Sequence, residues 1–410
     1  MNNHYINEVC FKNEKIIEKN KTYILNDKPF GVLTPNEDNP LFSVSVSNSS
    51  LSIDIWSGCS YGCKYCHVQG IYNYIKDEGR MRTFPALNTK FTIDNIVDNL
   101  LNHPFFEKNK TIISIGTGST EPFGNSFVTK STIEIMKCFV KRNLKNPFWI
   151  VTKAGIPIDI VDDIRYISSA GNKIMFSMCW ANNPKEIEPV QNNRFKNVDL
   201  LKDISNVYVS WYMRPLVKEW GASKENLEEM FKFVYKNYNG CIDMIVPGGM
   251  RWTSGIEYAL TQIHKIKMPN LIKNDNEKTL DDEIENIIID LSKKYFPNIP
   301  LFFNSSCALS YMLKISNVCL INLFKKHNCD LSSCPLQQRL ICRKNIENID
   351  LKKVEAKLKE MGIEINIHSI NKKSGKIISE PDLQSYSYPI RQMIVRTIAC
   401  CNDTNKEVRL

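Results

Sequence analysis

The sequence predicts an α/β chain: a partial (β/α)6 barrel of the TIM type, with a cysteine-rich C-terminal extension and a small α+β module. Three observations lead there. From residue 51 to about residue 300, short apolar runs rich in β-branched and aromatic residues alternate with stretches of helical periodicity, the order of βαβ units in a parallel sheet. At 410 residues and 43% hydrophobic content the chain can bury a sizeable core. After residue 349 the pattern changes to one helix and two short strand-like runs. Six strands also satisfy a doubly wound sheet, and periodicity alone does not choose between the two.

Residues 1–50 are polar with apolar islands such as Tyr23-Ile24-Leu25, and read as an N-terminal extension packed on the main domain. The barrel takes residues 51–300. Its candidate strands are Leu51–Trp56, Thr111–Gly116, Phe148–Lys153, Lys173–Met178, Val207–Arg214 and Cys241–Pro247. Helical periodicity falls between them at Ile93–Leu101, Thr132–Arg142, Ile158–Ser168 and Lys224–Tyr238. A charged loop over Lys273–Glu285 leads to a helix over Ile284–Tyr295 and a short run, Ile299–Asn304. Residues 301–348 form the cysteine-rich segment, with an apolar helical run at Tyr311–Leu323. Residues 349–410 form the small module. Its helix, Leu351–Met361, stops at Gly362, and the runs Ile363–Ile370 and Gly375–Ile378 are joined by Asn371-Lys372-Lys373-Ser374 in the manner of a winged appendage.

The 53 basic and 44 acidic residues give a formal charge of +9. A nucleic-acid or other anionic substrate is compatible with this mild excess, as is a merely basic surface. Between Leu351 and Leu410 eleven Lys and Arg face seven Asp and Glu, a net +4 that includes Arg391 and Arg396 beside Tyr386 and Tyr388. No apolar run reaches membrane-spanning length, and the N-terminus lacks the basic start and apolar stretch of a secretory signal. The expected location is the cytoplasm, with no membrane partner. In a reducing compartment, fourteen cysteines in clusters point to metal or redox work rather than disulfides.

The first cluster is Cys59-Ser60-Tyr61-Gly62-Cys63-Lys64-Tyr65-Cys66-His67, directly after the first strand. Three thiolates in CxxxCxxC spacing can wrap one face of an iron–sulfur cube and leave one iron of a [4Fe–4S] cluster open. An open coordination position separates catalytic metal sites from structural ones. Gly58 and Gly62 let the loop bend around the cluster. The alternatives are a zinc knuckle with His67 as fourth ligand, though zinc favours CxxC pairs, and a ferredoxin cluster, whose run is CxxCxxC.

CxxxCxxC after a first strand, with the aromatic Tyr65 before the third cysteine, resembles the signature of the radical SAM superfamily. That resemblance implies a cluster on Cys59, Cys63 and Cys66. It further implies chelation of S-adenosylmethionine (SAM) by the fourth iron, and reductive cleavage to a 5′-deoxyadenosyl radical that abstracts a substrate hydrogen. The turn Gly118, Ser119, Thr120 and Glu121 looks like a variant of the segment that holds the SAM amino group. Val151-Thr152-Lys153, Phe176-Ser177-Met178, Glu188-Pro189 with Arg194, and Arg214-Pro215-Leu216-Val217 are similar to stretches of the spore photoproduct lyase and DNA-repair-photolyase-like branch. By that resemblance Ser177 would touch the SAM ribose, and Arg194 or Lys153 the SAM carboxylate. The likeness covers roughly Leu51–Gly249. One departure stands out. Spore photoproduct lyases carry a hydrogen-donating cysteine near the position of Gly118, so the same thymine-dimer reversal is not expected here. Cys179 and Cys138 are candidate substitute donors, against the plainer reading of both as buried structural cysteines.

The second cluster offers Cys307, Cys329, Cys334 and Cys342 as four ligands of an auxiliary [4Fe–4S] cluster. Cys334 is followed by Pro335 as in some iron–sulfur runs, and Cys319 lies in an apolar helical run. A zinc site and unligated core cysteines are the competing readings. An auxiliary cluster resembles the equipment of peptide- and RNA-modifying members of the superfamily. The expected partners are a flavodoxin- or ferredoxin-type electron donor and a nucleic-acid substrate, with a peptide or protein substrate second. A non-catalytic iron–sulfur or zinc protein that binds nucleic acid is the rival from outside the enzymes.

Overall fold

The structure is a computed structural model that describes residues 15–18, 21–24, 44–46, 49–66, 85–87, 89, 91–103, 105–118, 120–191, 193–252, 254–270, 280–317, 334–370, 377–386 and 388–400. Among the described residues the centre is a seven-stranded sheet. Six strands run parallel in chain order, Leu51–Ile53, Ile113–Ile115, Phe148–Thr152, Ile174–Cys179, Val207–Met213 and Met244–Pro247. This sequential parallel order is that of a partial TIM-type barrel; a doubly wound sheet would reverse its strand order about a switch point. A backbone pairing of Ile245 with Leu301 continues the parallel order past the sixth strand. The seventh strand, Val44–Val46, comes from the expected N-terminal extension and pairs antiparallel with Leu51–Ile53, so the sheet begins before residue 51.

The strands are short because polar turn residues bound each apolar run. They are buried on both faces, as parallel strands between two layers must be. On the outer side lie the helices Ile93–Leu100, Ser126–Lys141, Val161–Ser169, Lys224–Tyr238 and Asp282–Tyr295. Side chains cap the N-terminal N–H groups of four of these helices: Thr92, Asn125, Ser223 and Asp281 each accept from the first turn. No α-helix follows the fourth strand directly; a long loop and a 3-10 turn at Val198–Leu201 take its place. That loop carries Glu188 and Arg194.

The inner face of the sheet meets the helix Ser305–Leu313. Ala308, Leu309 and Met312 pack with Trp149, Met175, Tyr212, Val246 and Cys334. The Met312 carbonyl accepts from Lys173 Nζ at 3.0 Å, just before the fourth strand, so the C-terminal end of this helix reaches the N-terminal side of the strands. The predicted helical run Tyr311–Leu323 is cut short at Lys314, which takes φ 57° and closes the helix with its N–H on the Ser310 and Tyr311 carbonyls. The cysteine-rich segment also holds the helix Leu336–Glu347.

The C-terminal module has its own core around Val354, Leu358, Ile367, Ile394 and Ile398. Its helix Leu351–Glu360 precedes the antiparallel pair Asn366–Ile370 and Ile377–Glu380, and the helix Tyr388–Cys400 completes it. Among the described residues no helix is long and apolar enough to cross a membrane.

Candidate active site

The first parallel strand ends at Ile53, and the chain then crosses the carboxyl ends of the strands as far as Cys66. Gly58 at φ 96° and Gly62 at φ 60° bend this loop through conformations that a side chain resists. The Cys66 N–H donates to the Cys63 carbonyl at 3.2 Å, and Cys59 Sγ accepts the Tyr61 N–H at 3.5 Å. Cys63 is buried, and Cys59 and Cys66 are half-buried. Burial raises the Cys59 thiol well above its ordinary value, and Glu121, Cys63 and Cys66 push in the same direction. Burial pushes the Cys63 thiol up to about 12, while Lys153 beside it works the other way.

Three thiols on one tight loop, with Cys59 and Cys63 costly to ionise alone, suit a cationic iron–sulfur group that would compensate the thiolates. Among the described residues no set of three His, Cys, Asp or Glu side chains closes around a single ion.

The turn after the second strand is tied to this loop. Thr120 Oγ1 donates to the Gly58 carbonyl at 2.6 Å. Glu121 is buried and accepts from the Lys153 N–H at 2.8 Å, from the Phe123 N–H at 3.3 Å and from the Thr152 hydroxyl. Burial raises the Glu121 carboxyl above its ordinary value in spite of those bonds. An ammonium arriving here would find a carboxylate already oriented. The Gly118 N–H donates to Asp54 Oδ1 at 3.1 Å, and a Cβ at Gly118 would stand 3.0 Å from Asp54 Oδ2. A side chain at position 118 would therefore need the Asp54 carboxylate to shift. Ser119 lies outside the described residues.

Glu188 is the hub of the site. It is 2% exposed and accepts from Lys153 Nζ at 2.7 Å, Asn183 Nδ2 at 3.1 Å, Arg194 at 3.2 Å and the Tyr65 hydroxyl. Burial alone would raise its carboxyl, but Lys153, Tyr65 and Arg194 together hold it below the ordinary range. Burial opposes the Lys153 ammonium too; the neighbouring Cys179, Glu188 and Cys63 nonetheless raise it above its usual value. Arg194 also donates to the Lys153 carbonyl at 2.7 Å and the Val190 carbonyl at 2.6 Å, and lies 5.2 Å from the Tyr61 ring. The Tyr65 ring lies tilted against Trp220, with centroids 5.7 Å apart. Lys153, Arg194 and Tyr65 thus converge, but on a protein carboxylate.

Ser177 faces the barrel interior, where its hydroxyl accepts from Trp149 Nε1 at 2.9 Å and bonds Ser210 Oγ at 2.8 Å. Cys179 ends the fourth strand beside Lys153 and donates to the Arg214 carbonyl at 3.2 Å. Cys138 sits in the outer helix Ser126–Lys141, with Asp94 Oδ1 at 3.2 Å, and the structure does not bring it to the strand ends. Of the second cysteine group, Cys329 and Cys319 lie outside the described residues, as does His67 of the first. Cys307 accepts from Asn317 Nδ2 at 2.9 Å and Cys342 from Gln338 Nε2 at 3.4 Å. Cys307 and Cys334 pack with the helix Ser305–Leu313 against the inner face of the sheet. Sequence reasoning gave no role to Glu188 or Tyr61. The available signal was a glutamate and an arginine six residues apart in a polar stretch between the fourth and fifth parallel strands.

No family model matches the chain, and no curated protein matches it. Among solved structures it is similar to a spore photoproduct lyase double mutant with bound AdoMet and dinucleoside spore photoproduct. That match has 13% identity, covers 63% of this chain and 79% of that one, and has a TM-score of 0.47. It is also similar to a spore photoproduct lyase complexed with dinucleoside spore photoproduct, at 14% identity over 63% and 78% of the two chains and a TM-score of 0.46.

Proposed function

We propose that this chain is a radical SAM enzyme that acts on a nucleic-acid substrate. The observation that carries the reading is the meeting of Cys59, Cys63 and Cys66 with Glu121 at the carboxyl ends of parallel strands. Such ends are where barrels of this kind bind their ligands. Cys59, Cys63 and Cys66 would hold the [4Fe–4S] cluster. When bound, the cluster would supply the electron that splits the SAM sulfonium, taken from a flavodoxin- or ferredoxin-type donor.

The protein's own part is orientation. Glu121, fixed by the Lys153 and Phe123 N–H groups, accepts the SAM ammonium. Gly118 and Thr120 keep the turn close to the cysteine loop. Glu188 holds Tyr65 and Lys153 against the buried Cys63, which excludes water from that side. Cys179, beside Lys153 at the end of the fourth strand, is the thiol that would return a hydrogen atom. The formal charge of +9 is compatible with a polyanionic substrate.

The test is anaerobic reconstitution of the wild type beside the Cys59→Ala/Cys63→Ala/Cys66→Ala variant, then incubation with SAM and dithionite. The wild type should take up about four irons at this site and release 5′-deoxyadenosine, and the variant should release none. Iron kept by the variant would belong to Cys307, Cys329, Cys334 and Cys342. A wild type that takes up no iron ends the proposal.

A further inference from the structure

We infer that Arg214 is an oxyanion receptor at the mouth of the barrel, built to take a carboxylate or phosphate of a bound ligand. The inference rests on the carboxyl ends of the strands being the binding face. Arg214 follows the fifth strand, and its cis peptide bond leads into Pro215. It lies just past the end of the strand, two residues beyond Tyr212, and Tyr212 belongs to the inner packing with Trp149, Cys179 and Val246. The guanidinium sits 4.5 Å from the Tyr212 ring, so a flat face supports it. On its other side stands Gly248, where an added Cβ would meet Nε at 2.4 Å and Cζ at 2.7 Å. A glycine here is what makes room for the head group.

Held in that slot, the guanidinium is poorly satisfied. Among the described residues one terminal nitrogen donates to the Pro247 carbonyl at 3.3 Å, and the buried Nε has no partner. No carboxylate of the described residues forms an ion pair with it. The contrast with the neighbouring cations is sharp: Lys153 and Arg194 both spend their charge on Glu188. A buried N–H left unpaired is costly, more so on a charged group, so such an arrangement persists where a ligand completes it. A planar cation with free donors fits a carboxylate or phosphate oxygen pair. Two sources carry that group: the amino-acid end of SAM and the substrate.

The test uses the full chain, reconstituted anaerobically, with iron content measured in every sample. Two variants remove the receptor differently. Arg214→Met deletes the charge, and Gly248→Ala displaces the guanidinium while keeping it. Equilibrium binding is measured with SAM and, separately, with inorganic phosphate. If SAM affinity falls about tenfold or more in both variants, the receptor holds the SAM carboxylate. If SAM affinity holds and phosphate affinity falls by that factor, the receptor serves the substrate. If neither ligand is weakened in either variant, the inference is overturned. A wild type that binds phosphate but not SAM counts against the radical SAM reading and leaves the receptor standing; one that binds neither removes both.

Discussion

Lys153 Nζ and Glu188 Oε1 lie 2.7 Å apart with side chains only 14% and 2% exposed. A pair so far from water is strong only while complete. Glu188 also neutralises Arg194, so Glu188→Gln would leave two buried cations against one amide. The expected loss is roughly 3–5 kcal/mol in denaturant unfolding. Adding Lys153→Met should restore part of it, because one unpaired charge is then gone. A double variant as unstable as the sum of the singles would show that the two residues do not act together.

Thr120 joins two loops through one hydrogen bond to the Gly58 carbonyl. Thr120→Val keeps the shape and removes the donor. Global stability should drop by about 1 kcal/mol. Iron release to a chelator from the reconstituted protein should quicken distinctly, because the bond clamps the cysteine loop. Equal release rates in the variant and wild type would show that the clamp is irrelevant to retention.

Two glycines should respond to alanine for different reasons. A Cβ at Gly155 would meet Lys196 Cβ at 2.6 Å and its carbonyl oxygen at 2.8 Å, so Gly155→Ala overpacks the junction and should cost about 1–3 kcal/mol. Gly362 has φ 75° and open space around it, so Gly362→Ala carries only the backbone cost of a left-handed residue, roughly 1–2 kcal/mol. The distinction is measurable: Gly362→Asn should be tolerated well, and Gly155→Asn should be worse than alanine.

The C-terminal module has a pH-dependent tether. Lys357 Nζ lies 2.8 Å from Glu107 Oε1, and with Lys110 and Arg396 it holds the Glu107 carboxyl below its ordinary value against the effect of burial. The folded state therefore resists protonation of Glu107 more than the unfolded chain does. The stabilisation is present above the ordinary glutamate range and is lost as pH falls through the lowered folded value. Both side chains are partly exposed, so the pair is worth less than about 1 kcal/mol. Lys357→Met should flatten the acid side of the stability profile and leave the alkaline side unchanged; an unaltered acid limb would rule the tether out.

The parallel strands were legible to within a few residues, because each is a short β-branched or aromatic run bounded by polar turns. The helix Lys224–Tyr238 matches its expectation end to end. The helix Tyr388–Cys400 was not legible, since its Ile, Val and Thr content reads as strand and only packing on the module's core makes it helical. The cysteine loop was plain because its three thiols are neighbours in sequence. Glu188 was hidden for the opposite reason: Tyr65 and Lys153 reach it from 123 and 35 residues away, and no local pattern records such a meeting. Arg194 and Lys153 were expected to receive a ligand's carboxylate, and their convergence on Glu188 became visible only in three dimensions.

The strand Val44–Val46 has a consequence for handling the protein. It covers the outer backbone of Leu51–Ile53, while the Leu301 pairing covers the opposite border of the sheet at Ile245. A shortened chain beginning at Leu51 would keep every cysteine of the candidate site. It would also expose a row of unpaired amide and carbonyl groups along an apolar strand, a template on which a second molecule can add. Trimming the polar leader to obtain a tidier sample should therefore yield self-associating material.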